Sequence, residues 1–247
     1  MTVPVLSAFS NAHPTIKLTV LTKNQFTPLF RDLKKVSVIS VDFKKDYRGV
    51  FGLYRLSKLL RNTHIEAVVD LHNVLRTKVL KYFLLGIKFN QIDKGRKEKK
   101  ALITGKTSTP LRTTTQRYAD VFRNLGFEFE INTPTFPPPK LLAPAITKVL
   151  GAFSNSSIGI APFAAYTSKT YSISKMDQVI SELQKESKVL LFGGGGNEIK
   201  QLETIASKYS NVFCVAGKFS LDHELDIISN LKVMLSMDSS NGHMAAM

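Results

Sequence analysis

The chain has 247 residues, 43% of them hydrophobic and 21% charged, and a net charge of +15. That length suffices for one large core or two modest ones, the composition excludes intrinsic disorder, and no run of about 18 apolar residues is present to span a bilayer. A lone cysteine, Cys214, excludes an internal disulfide framework and a cysteine zinc cluster; its setting in NVFCVAG reads as a buried, inert thiol.

The chain opens on MTVPVLSAFSNAHP, a helix-like segment without the basic and apolar regions of a signal peptide. IKLTVLT (16–22) is a β-branched run that predicts a strand, and Asn24 is placed to cap a short helix through Arg31. VSVISVDF (36–43) reads as a buried strand, VFGLYRLSKLL (50–60) has helical spacing, and IEAVVDL (65–71) is a strand followed by a helix near 74–85. IKFNQID (87–93) is again strand-like, and KGRKEKK (94–100) is the densest charge run, an exposed loop or helix start. A helix near 113–125 ends at Gly126, which suits a C-terminal cap. Strands of this length alternating with helices predict βαβ units around a parallel sheet.

Residues 131–144, INTPTFPPPKLLAP, hold five prolines and read as an interdomain linker, with a helix near 141–151 after it. This sets domains at 1–140 and 141–247. The second half then restarts the pattern. SIGIAPFA (157–164) is a strand entering a loop, and Ser174 with Asp177 resembles a capping box at a helix start. KVLLFGGGG (188–196) is a strand meeting a glycine turn, with Asn197 placed to cap EIKQLETIASKY. NVFCVAG is a strand, LDHELDIISN a helix, and KVMLSM (232–237) a strand. Two α/β layers of similar build with a cleft between them are expected. Both ends read as cut: no strand precedes the first helix, which would leave a gap in the first core, and GHMAAM begins a helix that has no cap or following strand.

Charge divides unevenly. Residues 1–150 hold 26 Lys and Arg against 10 Asp and Glu, a net +16, whereas 151–247 hold 8 against 9, a net −1. An anionic partner facing the first half is the physical implication; nucleic acid, phospholipid and a phosphorylated glycolipid all qualify. The lysines are spread over many elements and KGRKEKK has no aromatic neighbour, which argues against a nucleic-acid module.

Three local features can carry chemistry. In MLSMDSSNGHMAAM a strand ends near Asp238, small residues follow, and a helix begins; backbone amides at such a turn suit an anion, although ordinary N-caps look the same. The GGGG turn (193–196) allows close backbone approach but fits neither Gly-x-x-x-x-Gly-Lys-Ser/Thr, since Lys200 is misplaced, nor Gly-x-Gly-x-x-Gly, since Ile199 holds the third position. Lys169, in a loop after a strand, can meet a phosphate as a point charge. His72 and His243 stand without metal-ligand spacing.

As an ordered set, GIAPFAAYTSKTY, LLFGGGGNE, AGKFSL and MDSSNGHMAA resemble glycosyltransferase family nine, whose best-known members are ADP-heptose:lipopolysaccharide heptosyltransferases. In the first half, MTVPVL and VVDLHNVLR are similar to the family's opening helix and its Asp-Leu-x-x-x-x-Arg strand end. The resemblance implies a GT-B fold, two Rossmann-like domains facing across a cleft, with the acceptor on the N-terminal half and the ADP-sugar on the C-terminal half. It implies that Lys169 pairs with the donor phosphate, Glu198 approaches the ribose, and Asp238 touches the sugar or nucleoside. The pyrophosphate then lies on backbone groups of Ser239, Ser240, Asn241 and Gly242, near His243, while His72 and Arg76 are the acceptor-side candidates. The implied acceptor is a phosphorylated Kdo–lipid A core, with inverting transfer, no metal and no cofactor beyond the donor substrate, in the cytoplasm and peripherally at the inner membrane. No nucleic acid is expected. The family's general-base aspartate would precede Met1, so no catalytic residue is assigned within the chain, and a catalytically inactive fragment or a basic anion- or nucleic-acid-binding protein is the competing reading. Ser240 stands where the family usually has glycine, and Ala164 and Ala165 where it often has hydroxyls.

Overall fold

Strand and helix alternate as the apolar periodicity requires, in two units, Met1–Pro134 and Thr135–Met247, of a computed structural model that describes residues 1–131, 136–151 and 156–247. The expected linker falls partly on residues 132–135, outside the described residues. Among the described residues no helix is long and apolar enough to cross a membrane.

The first unit runs α1 (Thr2–Ala12), β1 (Leu18–Lys23), a 3₁₀ segment (Asn24–Phe30), β2 (Val36–Val41), α2 (Gly49–Asn62), β3 (Ala67–Asp70), α3 (Leu75–Phe83), β4 (Lys88–Gln91), α4 (Arg96–Ile103) and α5 (Thr114–Arg123). Its strands form two parallel pairs, β1 with β2 and β3 with β4, and no ladder joins the pairs among the described residues. Side chains alternate with the period of a strand. Leu18, Val20, Val38 and Val69 turn to a cluster built on Val5, Leu6 and Phe9 of α1 and Phe122 of α5, whereas Leu21, Ile39, Val68 and Phe89 turn to one built on Leu53, Leu56 and Leu60 of α2 and Leu80 of α3. Both strand pairs are therefore sandwiched between the same two helical layers. Rings of Phe9 and Phe122, with centroids 4.5 Å apart, lock α1 onto α5.

The second unit runs α6 (Pro144–Leu150), β5 (Ile158–Ala161), a short 3₁₀ turn (Thr167–Lys169), α7 (Ile173–Leu183), β6 (Val189–Leu191), α8 (Gly196–Ala206), β7 (Val212–Cys214), α9 (Leu221–Ser229), β8 (Val233–Ser236) and α10 (Ser240–Ala245). All four strands are parallel, in the order β7-β6-β5-β8. Val189 and Leu191 of β6 pack with Met176 and Ile180 of α7 and Leu202 of α8; Leu190, between them, packs with Ile146 of α6 and Ile227 of α9. A sheet covered on both faces needs apolar residues at successive positions, which is why these strands read as continuous apolar runs. Lys140 joins this unit: its N–H donates to Ser229 Oγ at 3.1 Å and its carbonyl accepts from Asn230 Nδ2 at 2.8 Å. Cys214 is buried, and that burial pushes its thiol pKa up.

Helix starts differ from expectation at three places. The Asn24 segment is a 3₁₀ helix capped at Lys23, with Pro28 inside it and no side-chain cap. Helix α7 begins at Ile173 after Ser172, and Asp177 closes no capping box: its carboxylate pairs with Lys208 at 2.5 Å and accepts from the Tyr209 hydroxyl at 3.2 Å, tying α7 to the end of α8. Asn197 lies inside the first turn of α8, whose cap is Gly195 at φ 83°, a backbone conformation that favours glycine. KGRKEKK is mostly helix. Arg117, nearly buried, pairs with Glu98 at 2.5 Å and donates to the Asp93 carbonyl at 3.4 Å, holding α4 while its lysines stay in water.

Burial pushes the Glu224 carboxyl, on α9, up to about 7. Its folded pKa thus lies above the unfolded one, so the unfolded state holds fewer protons between about pH 4.5 and 7 and stability falls as pH rises through that window. Glu224→Gln is expected to flatten this slope and to raise the melting temperature at pH 8 by a few degrees, on the order of 1 kcal/mol after solvent screening. Thermal unfolding of both proteins at pH 5 and pH 8 checks it.

Candidate functional site

In the second unit the strand order reverses at β5: β6 and then β7 lie to one side, and β8 returns to the other. Outside the carboxyl ends of the two strands that flank such a reversal is a crevice that neither connecting helix covers. Register places Ile160 beside Leu191 and Ala161 beside Ser236, so the loops after β5, β6 and β8 leave the sheet at one edge. The ladder runs one step further, with Met237 N–H donating to the Ala161 carbonyl at 3.0 Å.

Lys169, beyond β5, and Asp238, beyond β8, meet across this reversal in an ion pair, both about half exposed. The Asp238 carboxylate raises the Lys169 pKa, and Lys169, with a smaller contribution from His243, lowers that of Asp238. His243 Nε2 lies 3.6 Å from the other Asp238 oxygen. An open pair of this kind contributes little to stability, so its meaning lies in what it presents: a cation and an anion side by side beyond the carboxyl ends of β5 and β8.

The turn after Asp238 is built to stay tight. Ser239 caps α10 by accepting the Gly242 N–H at 3.3 Å, and Asn241 is buried. Ser240 and Asn241, as the first two helical residues, have amides with no intrahelical carbonyl to meet. Gly242 permits the close approach to β8: a Cβ there would stand 2.0 Å from Ser236 Oγ and 3.1 Å from Ser236 Cβ. Glu198, in the first turn of α8, accepts the Gly194 N–H at 2.9 Å and so braces the glycine turn after β6.

Thus Lys169, Asp238, Ser239, Ser240, Asn241, Gly242 and His243 come together, whereas Glu198 stands at the neighbouring β6 turn.

In the first unit Asp70, at the end of β3, is buried and accepts the N–H groups of His72 and Asn73 and the Gln91 amide, each at 2.9 Å. Burial opposes its charge, but the Thr77 hydroxyl and these donors hold its pKa below the usual value. His72 is exposed in the turn that results, and Arg76 stacks over the Phe43 ring at 4.1 Å. Next to this turn lies an open cavity of about 490 Å³, lined by Asn73, Lys78, Gln91, Lys94, Arg96 and Lys97 among others. Neither His72 nor Arg76 lines it. The cationic lining was missed as a site in the sequence, where KGRKEKK was its signal; that Lys78 joins it depends on α3 packing beside β4.

The model for "Glycosyltransferase family 9 (heptosyltransferase)" matches residues 53–247, more than half of the chain. No curated protein matches the sequence. Among solved structures, a glycosyl transferase family 9 protein from Veillonella parvula is similar, with a TM-score of 0.77 and 16% identity over 99% of this chain and 73% of that one. Heptosyltransferase WaaC of E. coli with ADP is similar at 0.67 and 18% identity, over 99% and 78% of the two chains. The ADP-heptose lps heptosyltransferase II of E. coli is similar at 0.69 and 15% identity, over 98% and 77%. At such identities the likeness is one of fold, and the fold is that of the GT-B glycosyltransferases.

The turn makes its own prediction. Gly242→Ala should destabilise the second unit by about 1–3 kcal/mol through overpacking against Ser236. Adding Ser236→Ala should recover most of that loss, read in a double-mutant cycle of denaturant unfolding. Equal losses with and without Ser236→Ala would remove the steric account.

Proposed function

The chain belongs to glycosyltransferase family 9, and on that premise we propose that its second unit binds an ADP-sugar of the heptose type for transfer to a lipopolysaccharide core. One observation carries this reading: Lys169 and Asp238 straddle the strand reversal beside a serine-capped turn. The ammonium of Lys169 meets the donor phosphates as a point charge. Backbone groups of Ser239, Ser240, Asn241 and Gly242 hold the pyrophosphate, the amides left without an intrahelical carbonyl being those of Ser240 and Asn241, with His243 beside them. Asp238 accepts from the sugar or nucleoside, and Glu198 from the ribose. That the heptosyltransferase WaaC of E. coli was solved both with ADP and with ADP-2-deoxy-2-fluoro heptose supports an adenine nucleotide as the donor's carrier.

The acceptor is an anionic glycolipid bound by the first unit, where His72 and Arg76 flank the Asp70 turn and the net charge over residues 1–134, 24 Lys and Arg against 10 Asp and Glu or +14, attracts it. Displacement at the anomeric carbon is direct and inverting, without metal or cofactor. The general base is assigned to no residue of this chain. The place of action is the cytoplasmic face of the membrane that carries the acceptor.

Calorimetric titration with ADP, an ADP-sugar and UDP tests the donor site. ADP is expected to bind in preference to UDP. Lys169→Ala should weaken ADP about ten- to a hundredfold, the loss of one charge-assisted contact, and Asp238→Ala should weaken the ADP-sugar. A folded chain that binds no ADP, or variants that bind as the parent does, would sink the assignment.

A further inference from the structure

The outer face of the α2–α3 layer in the first unit carries a second pattern. The inward faces of these helices are spent on the core through Leu53, Leu56, Leu60, Leu80 and Leu84. Their outward faces carry large apolar side chains in water: Phe51 is 87% exposed, Leu75 79%, Tyr82 69% and Leu85 66%. Phe51, Tyr54 and Lys58 recur at helical spacing on α2, as do Leu75, Lys78, Tyr82 and Leu85 along α3 and the turn after it. The two stripes adjoin. The ring centroids of Tyr54 and Phe83 lie 5.6 Å apart, Tyr82 stacks edge-on against Phe83, and Arg61 donates to the carbonyls of Phe83 and Leu85 at 3.1 and 2.8 Å.

The charge on the two helices of this face has one sign. Arg48, Arg55, Lys58, Arg61, Lys78 and Lys81 are all exposed; no Asp or Glu occurs between residues 47 and 65 or between 71 and 92, and the exposed Asp46, whose carbonyl accepts from Arg55 at 2.6 Å, lies just before α2. A solvated helix face ordinarily mixes both signs. Large exposed apolar side chains set among cations, on two helices without a carboxylate, match instead the demands of an anionic bilayer surface, where aliphatic and aromatic groups enter the headgroup boundary and Lys and Arg meet lipid phosphates. Nucleic acid fits less well, because aliphatic Leu75 and Leu85 gain nothing from base stacking.

We infer that the α2–α3 face seats the protein on a membrane surface rich in anionic phospholipid. This deepens the reading above, in which the acceptor is lipid-borne, by naming the surface that faces the lipid.

The test is co-sedimentation of the full chain with vesicles of phosphatidylethanolamine and phosphatidylglycerol, against vesicles of phosphatidylcholine alone. Binding to the anionic vesicles is expected, and raised salt should weaken it. Arg55→Gln/Lys58→Gln/Lys81→Gln should lower partitioning at least tenfold, since each cation near such a surface contributes about fivefold. Phe51→Ser/Tyr82→Ser/Leu85→Ser should lower it comparably with charge unchanged. Lys97→Gln/Lys99→Gln/Lys100→Gln on α4, an equal loss of charge, should lower it far less. All nine positions are exposed, and melting curves report whether each variant is folded. Three outcomes overturn the inference: no binding to anionic vesicles, equal loss from the α4 triple, or no loss from the apolar triple. Tighter retention on double-stranded DNA than on vesicles overturns it as well. ADP titration on the same preparations keeps the two readings apart, because the donor reading rests on residues of the second unit and this one on residues of the first.

Discussion

The parallel pairing of β5 with β6 on one side and β8 on the other is the constraint on which the candidate site depends. Parallel strands in register send their following loops out of one edge, and a reversal of strand order leaves a crevice there that no connecting helix covers. Lys169 and Asp238 are 69 residues apart in the chain and meet because β5 and β8 are neighbours. The pairing is held by burial on both faces: Ile160 and Leu191 on the side of α7 and α8, Ala161 and Leu190 on the side of α6 and α9. Chemistry at the edge is thus carried by apolar residues that never reach it.

Rigid and open parts are divided accordingly. The turn from Ser236 to Gly242 is fixed by the Ser239 cap, by the Met237 link to Ala161 and by an approach between Ser236 and Gly242 that only glycine permits. The Lys169–Asp238 pair stands half in water, where a charged ligand can reach it at small cost in lost pairing. A preorganised backbone beside an accessible ion pair suits the donor proposed above, since the backbone sets position and the side chains set charge.

In the first unit the same logic operates with a buried carboxylate. Asp70 holds the β3 turn by accepting two amides and a Gln91 side chain, and so fixes where His72 and Asn73 project. Arg117 plays the matching part for α4, satisfied by Glu98 and a carbonyl while the surrounding lysines remain in solvent. Buried charges of this kind persist where every one has a partner. Around them, the cations of α2, α3 and α4 make this unit strongly positive.

Much of this was legible in the sequence because it rests on local rules. Apolar runs bounded by glycine and proline marked the strands, helical spacing marked α2 and α9, and the ordered motifs around Lys169, Glu198 and Asp238 pointed to the family whose model matches residues 53–247. The asymmetry of charge, too, is a property of composition. What the sequence could not decide is whatever depends on partners distant along the chain. Asp177 reads as a helix cap and is instead the anchor of Lys208 and Tyr209, because packing of α7 on α8 offers a stronger partner than its own first turn. KGRKEKK reads as a solvated run until Arg117, some twenty residues on, fixes its helix and turns part of it toward a cavity with Lys78. Likewise, the apolar residues of α2 and α3 sort into core and surface only when the strand pairs choose which side of each helix to cover. Local sequence determines which elements form, since propensity and periodicity act over a few residues; which charges meet and which apolar groups stay in water is decided by tertiary packing, because only there do distant residues compete for the same burial.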